Sequence, residues 1–153
     1  MILPILILLV SVAGLANALY FTFAYYGRVR GSRWIPEVLC AREGSSCVTV
    51  LHTTYARVFG VPNSLLGIFY YPLLIAWALV GAPRALDVFF RGNHFVVATL
   101  GFLELMALAA VLLGFYLIYA LRRKLHTRCP LCYAGHAINA ALLVLLILTG
   151  FGR

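Results

Sequence analysis

The sequence predicts an all-α integral membrane protein, a four-transmembrane-helix bundle closed at one end by a cysteine-bearing loop. Three observations carry that prediction. Of 153 residues, 64% are hydrophobic and 10% are charged, and the mean hydropathy is +1.01. A soluble domain is about 25% charged, so polar side chains are too few to cover a water-soluble globule of this size. Four long stretches carry almost no charge. Runs such as LILLV and ALLVLLIL do not alternate as a membrane β-strand would, and backbone satisfaction in lipid then makes each stretch a helix. A soluble enzyme, a disordered tail and a small secreted disulfide scaffold are excluded. The length suits a single membrane domain, 1–153.

In chain order the spans read 1–27, 58–83, 95–121 and 129–152, each meeting the roughly 20 apolar residues that a spanning helix needs. The first contains Ala16-Asn17-Ala18, which has the form of a signal-peptide cleavage site. No Lys or Arg precedes Arg28, and a signal peptide wants a basic start and a short apolar core, so a retained helix is expected. The second span follows a long polar loop, 28–57. Inside that loop, Trp34, Ile35, Val38 and Leu39 have the spacing of a short amphipathic helix lying at the interface, and Gly44-Ser45-Ser46 is a turn signal. The third span carries Glu104, an intramembrane carboxylate and so a functional candidate by default. It is expected far from the cysteine-bearing end, in a structural hydrogen bond or on a proton route. The fourth opens after the tight basic turn 122–128.

Counting spans places all four cysteines at one membrane face: Cys40 and Cys47 in the first loop, Cys129 and Cys132 at the entry of the fourth span. Pro130 suits the first helical position, which puts Cys129 at the cap and Cys132 one turn in. Unpaired N–H groups and the helix dipole favour a thiolate there, as does the neighbouring Arg128. A CxxC at a helix N-terminus is the form of a redox dithiol. Other readings use the same residues: inert structural disulfides, or a four-cysteine zinc site, although the six residues between Cys40 and Cys47 are wider than usual zinc pairs. A second dithiol on the same face suggests a relay by thiol–disulfide exchange. With no dinucleotide fingerprint and no CxxCH haem signature, a lipid-soluble two-electron acceptor, a quinone, remains by elimination. Cys132, His136 and Asn139, at i, i+4 and i+7, share one helix face.

The chain resembles the vitamin K epoxide reductase family. The resemblance is carried by Cys40 and Cys47, by Thr53, by Val61-Pro62-Asn63-Ser64-Leu65-Leu66-Gly67, and by Cys129-Pro130-Leu131-Cys132 with His136-Ala137-Ile138-Asn139. It implies an enzyme that couples disulfide formation to reduction of a quinone of the ubiquinone or menaquinone type, taking electrons from a thioredoxin-like protein. By the same resemblance Cys132 looks like the cysteine that acts on the quinone ring, Cys129 its disulfide partner, Cys47 the loop cysteine that attacks it, and Cys40 the one that exchanges with the partner. Asn63 matches an asparagine that hydrogen-bonds a quinone carbonyl. His136 stands where animal members have a tyrosine in a similar role, and Thr53, where many have serine, is counted with Asn63 and His136 among the quinone-binding residues that the resemblance implies. Nothing in the residues indicates an epoxide substrate.

Charge speaks to orientation. The cysteine face carries Arg28, Arg30, Arg33, Arg42, Arg57, Arg122, Arg123, Lys124 and Arg128; the other carries Arg84, Arg91 and Arg153. In lipid such residues serve anionic headgroups, and no nucleic-acid partner is expected. The basic side stays in the cytoplasm, so nine against three predicts the cysteines inside the cell, the reverse of the bacterial relatives; the alternative is their outward-facing active site with the charge rule broken. Disulfide formation inside the cell is a habit of hyperthermophiles; the absence of Gln fits that habitat weakly, and the single Lys does not.

Overall fold

The computed structural model describes residues 2–28, 46–58, 60–81, 93–126 and 129–151. Four long apolar helices dominate: α1 (Ile2–Tyr25), α3 (Asn63–Gly81), α4 (Asn93–Arg123) and α5 (Pro130–Phe151). Three of them, α1, α4 and α5, contain segments long and apolar enough to cross a membrane; α3 contributes the shorter apolar stretch Asn63–Leu79. Between α1 and α3 lie a short helix, α2 (Ser46–Leu51), a 3-10 turn (Thr54–Ala56) and a minimal antiparallel hairpin, β1 (Arg57–Val58) with β2 (Val61–Pro62). The expected amphipathic helix around Trp34–Leu39, and Cys40 with it, lies outside the described residues.

The molecule is apolar outward. Phe69 is 71% and Phe115 67% exposed, an arrangement that water would penalise and lipid tails accept. Lipid supplies no hydrophobic force between helices, so small residues and close packing must hold them. The α1–α3 pair, the most extensive in the molecule, shows this. Gly14 and Ala18 lie one turn apart on α1, and a Cβ on Gly67 of α3 would stand 3.1 Å from the Ala18 Cβ. Thr22 Oγ1 donates to Ser64 Oγ at 3.0 Å and fixes the register of that pair. The next contacts are α4 with α5 and α1 with α5. α3 and α4 make little backbone contact, and a cavity lies between them.

The helix ends are chemically marked. At the end of α1, Gly27 takes φ +67° and the Arg28 N–H reaches back to the Phe23 carbonyl at 2.9 Å, the six-to-one closure that a left-handed residue permits. The hairpin corrects one expected boundary. The charge-free criterion starts the second span at Val58, yet the helix begins at Asn63. Gly60, at φ +80°, reverses the chain, and Pro62 has no N–H to give to a helix. Glu104 is half-buried on α4, about 16 Å along the helix from Asn93. Its Oε1 occupies space that Gly150 leaves open, since a Cβ there would stand 3.1 Å away.

Candidate functional site

The CxxC sits where α5 begins. Cys129 is fully buried and forms a disulfide with Cys132, their Cα atoms 5.3 Å apart. The Cys132 N–H donates to Cys129 Sγ at 3.3 Å, and the Cys129 carbonyl accepts from the Tyr133 N–H at 3.2 Å. Cys129 is therefore the N-cap, its sulfur occupying the place where a capping oxygen usually accepts a first-turn N–H. When the disulfide opens, the same N–H and the helix dipole favour negative charge on that sulfur.

The segment before α3 reaches the CxxC through α2. Val50 and Leu51 share a buried cluster with Phe21, Leu121 and Cys129. Cys47 stands one turn earlier on the same short helix. The following segment is pinned to the end of α1: His52 stacks on Tyr25 at 5.1 Å between ring centroids, and an Arg57 guanidinium nitrogen donates to Tyr25 Oη at 3.1 Å.

Directly inward from the CxxC lies a cavity of ≈ 510 Å³, in the range of small-molecule sites. Val50, Leu51, Tyr55 and Ala56 line its cysteine end, and Ala110, Leu113 and Leu117 of α4 give it an apolar wall. Besides Tyr55, its polar side chains come from three helices: Asn17 from α1; Asn63, Ser64 and the two tyrosines 70 and 71 from α3; Cys132, His136 and Asn139 from α5. The face read from the i, i+4, i+7 spacing thus opens into one chamber. Asn139 Oδ1 accepts a hydrogen bond from Tyr71 Oη at 2.8 Å, so that carboxamide ties α5 to α3. Tyr70 is 6% exposed, and its hydroxyl has no partner among the described residues.

Of the sequence-derived candidates, Asn63, Cys132 and His136 line the chamber and Cys129 closes the disulfide behind it. Thr53 does not line it; its hydroxyl donates to the Val50 carbonyl at 2.7 Å, which stabilises the end of α2. Cys40 lies outside the described residues, as does the side chain of Cys47. Glu104 is not among the lining residues. Sequence reasoning passed over Asn17, reading it only as part of a cleavage-like motif, and over Tyr70. For Asn17 the signal was present, because a carboxamide inside a charge-free span calls for a function. The lining would suit a quinone: apolar walls for a flat ring, amide and imidazole groups for its oxygens, a cysteine sulfur, and a tyrosine hydroxyl with no partner among the described residues.

The chain matches the family model described as the vitamin K epoxide reductase family over residues 5–147. No curated protein matches it.

Proposed function

The chain belongs to the vitamin K epoxide reductase family, and from that premise we propose that it is a four-span, single-domain membrane enzyme that oxidises the dithiol of a thioredoxin-like protein and passes two electrons to a quinone. The carrying observation is the Cys129–Cys132 disulfide at the mouth of a carbonyl-compatible cavity. That disulfide also speaks against a zinc site built from four thiolates.

In this reading the partner's dithiol reduces Cys40–Cys47 by exchange. The Cys47 thiolate then attacks Cys129 Sγ; the Cys129–Cys132 bond breaks and Cys132 leaves as a thiolate facing the cavity. Cys40 attacks Cys47, closing their disulfide and releasing Cys129 to its capped position. Two electrons now rest on the CxxC. A quinone, when bound, supplies the acceptor for two electrons and two protons. Asn63 and His136 would hold its oxygens, and the apolar walls would exclude water. Re-forming the Cys129–Cys132 bond returns the enzyme to its start. The two protons given up by the partner's dithiol equal the two taken up at the ring, so the cycle needs no proton from Glu104. The loop segment that lines the cysteine end caps the chamber. In this reading the active end faces the cytoplasm, and what supports this is the basic excess of that face: Arg28, Arg57, Arg122, Arg123 and Lys124 with four others.

The test is quinone reduction by the purified protein with a reduced thioredoxin-like protein as electron source. Cys132→Ala is expected to abolish it; undiminished turnover in that variant would refute the assignment. Orientation is read by labelling Cys40 and Cys47 with a membrane-impermeant maleimide after mild reduction. Labelling only in opened cells is expected, and labelling in intact cells would reverse the placement.

A further inference from the structure

The cavity holds one carboxamide that the redox cycle above leaves unused. Asn17 stands mid-helix in α1, five residues further from the cysteine end than Thr22, or about 8 Å at 1.5 Å per residue. Thr22 is hydrogen-bonded to Ser64, the neighbour of Asn63, so Asn17 lies deeper in the bundle than Asn63. Its Nδ2 is directed at α5, where a Cβ on Gly135 would stand 2.7 Å away. Any larger residue at 135 would push the amide back. Gly135 lies between Cys132 and His136, and both neighbours line the cavity with Asn17. The three cavity carboxamides are not equivalent. Asn139 is engaged by Tyr71, whereas no hydrogen bond among the described residues engages Asn17. An amide held in hydrocarbon without a partner is costly, and the cavity is where a partner can stand.

We propose that Asn17 is a ligand-binding residue that orients the ring: it hydrogen-bonds the deeper of two ring oxygens, and Gly135 is the notch that admits it. The inference rests on the proposed quinone chemistry. Asn63 takes the oxygen nearer the cysteine end. Asn17 and His136 converge on the deeper one, which has two lone pairs to offer. The ring then stands along the helix axis with its edge beside Cys132.

The test is binding, read by quenching of intrinsic fluorescence when a short-chain naphthoquinone is titrated into the purified protein. A second titration uses 1-tetralone, a bicyclic analogue that keeps one of the two carbonyls. Asn17→Leu keeps the bulk and removes both polar atoms; it is expected to weaken the quinone about tenfold and the single-carbonyl analogue less than about twofold. Gly135→Ala is expected to give the same pattern by displacing the amide, and it decides the matter should Asn17→Leu fail to fold. Equal weakening of both ligands, or no weakening of either, overturns the role of Asn17. A wild-type protein that binds neither ligand overturns the quinone reading itself.

Discussion

A Cβ added to Gly114 would stand 2.8 Å from His136 Nδ1, so the absence of one methyl group on α4 sets where the imidazole stands. Gly114→Ala is expected to displace the ring and raise the quinone KM about tenfold, with a stability loss of about 1–3 kcal/mol from overpacking. Gly101→Ala, on the same helix with nothing within 4 Å of its Cβ, is the control and should stay within about 1 kcal/mol of the parent. Steady-state kinetics and thermal unfolding in detergent, run on both variants, check the pair. Tyr71→Phe removes the hydroxyl that Asn139 accepts from and is expected to cost about 1 kcal/mol, read in the same unfolding experiment. These residues differ in how far the sequence reveals them. Cys129, Cys132, His136 and Asn139 lie on one helix, so spacing alone groups them. Asn17 with Gly135, and Gly114 with His136, are pairs across two helices, and no periodicity within one segment reports which faces meet.

Helix α2 is six residues long, too short to be stable by itself, and what holds it is the cluster that Val50 and Leu51 form with Phe21, Leu121 and Cys129. Truncating a buried leucine in a large core costs about 2–5 kcal/mol. In so small an element the loss falls on docking rather than on the whole fold. Leu51→Ala is therefore expected to slow oxidation of the thioredoxin-like partner about tenfold, since misplacing a reacting group by about an ångström has effects of this order and larger. Reduction of Cys129–Cys132 by a small dithiol should continue at nearly the parental rate. Quinone reduction measured with each reductant separates the two, and equal slowing with both would mean that α2 serves the cavity rather than the relay. Element boundaries were legible where charge marks them. The last described turn of α4 carries Arg122 and Arg123, close to the expected end at 121. The hairpin before α3 was not, because Val58, Val61 and Pro62 are as apolar as the helix that follows, and only the φ of Gly60 distinguishes a turn from a span.

At the scale of the whole molecule, a lipid-facing exterior is what composition already requires, and the chamber between α3 and α4 is apolar with a few polar groups in its wall. With 64% hydrophobic residues most side chains must face tails or one another, and the few carboxamides and the imidazole gather where a ligand can satisfy them. Composition does not say which end of the bundle faces the cytoplasm; the proposed cytoplasmic placement of the cysteines rests on the count of basic residues. Lys and Arg in short loops near span ends set orientation, and acidic residues contribute little. The last turn of α4 and the residue after it supply Arg122, Arg123 and Lys124, all exposed, to the cysteine face. Neutralising those three while introducing three lysines in the opposite loop, 84–92, brings the two faces to six each, from nine against three. The expected outcome is a mixed population, with cysteine labelling by the impermeant maleimide appearing in intact cells where the parent is expected to show none. Neutralising the three without the added lysines leaves six against three and should preserve the parental orientation. If the balanced variant also stays wholly unlabelled in intact cells, the orientation is set by something other than the balance of basic residues, and the cytoplasmic placement would then stand on the labelling of the parent alone.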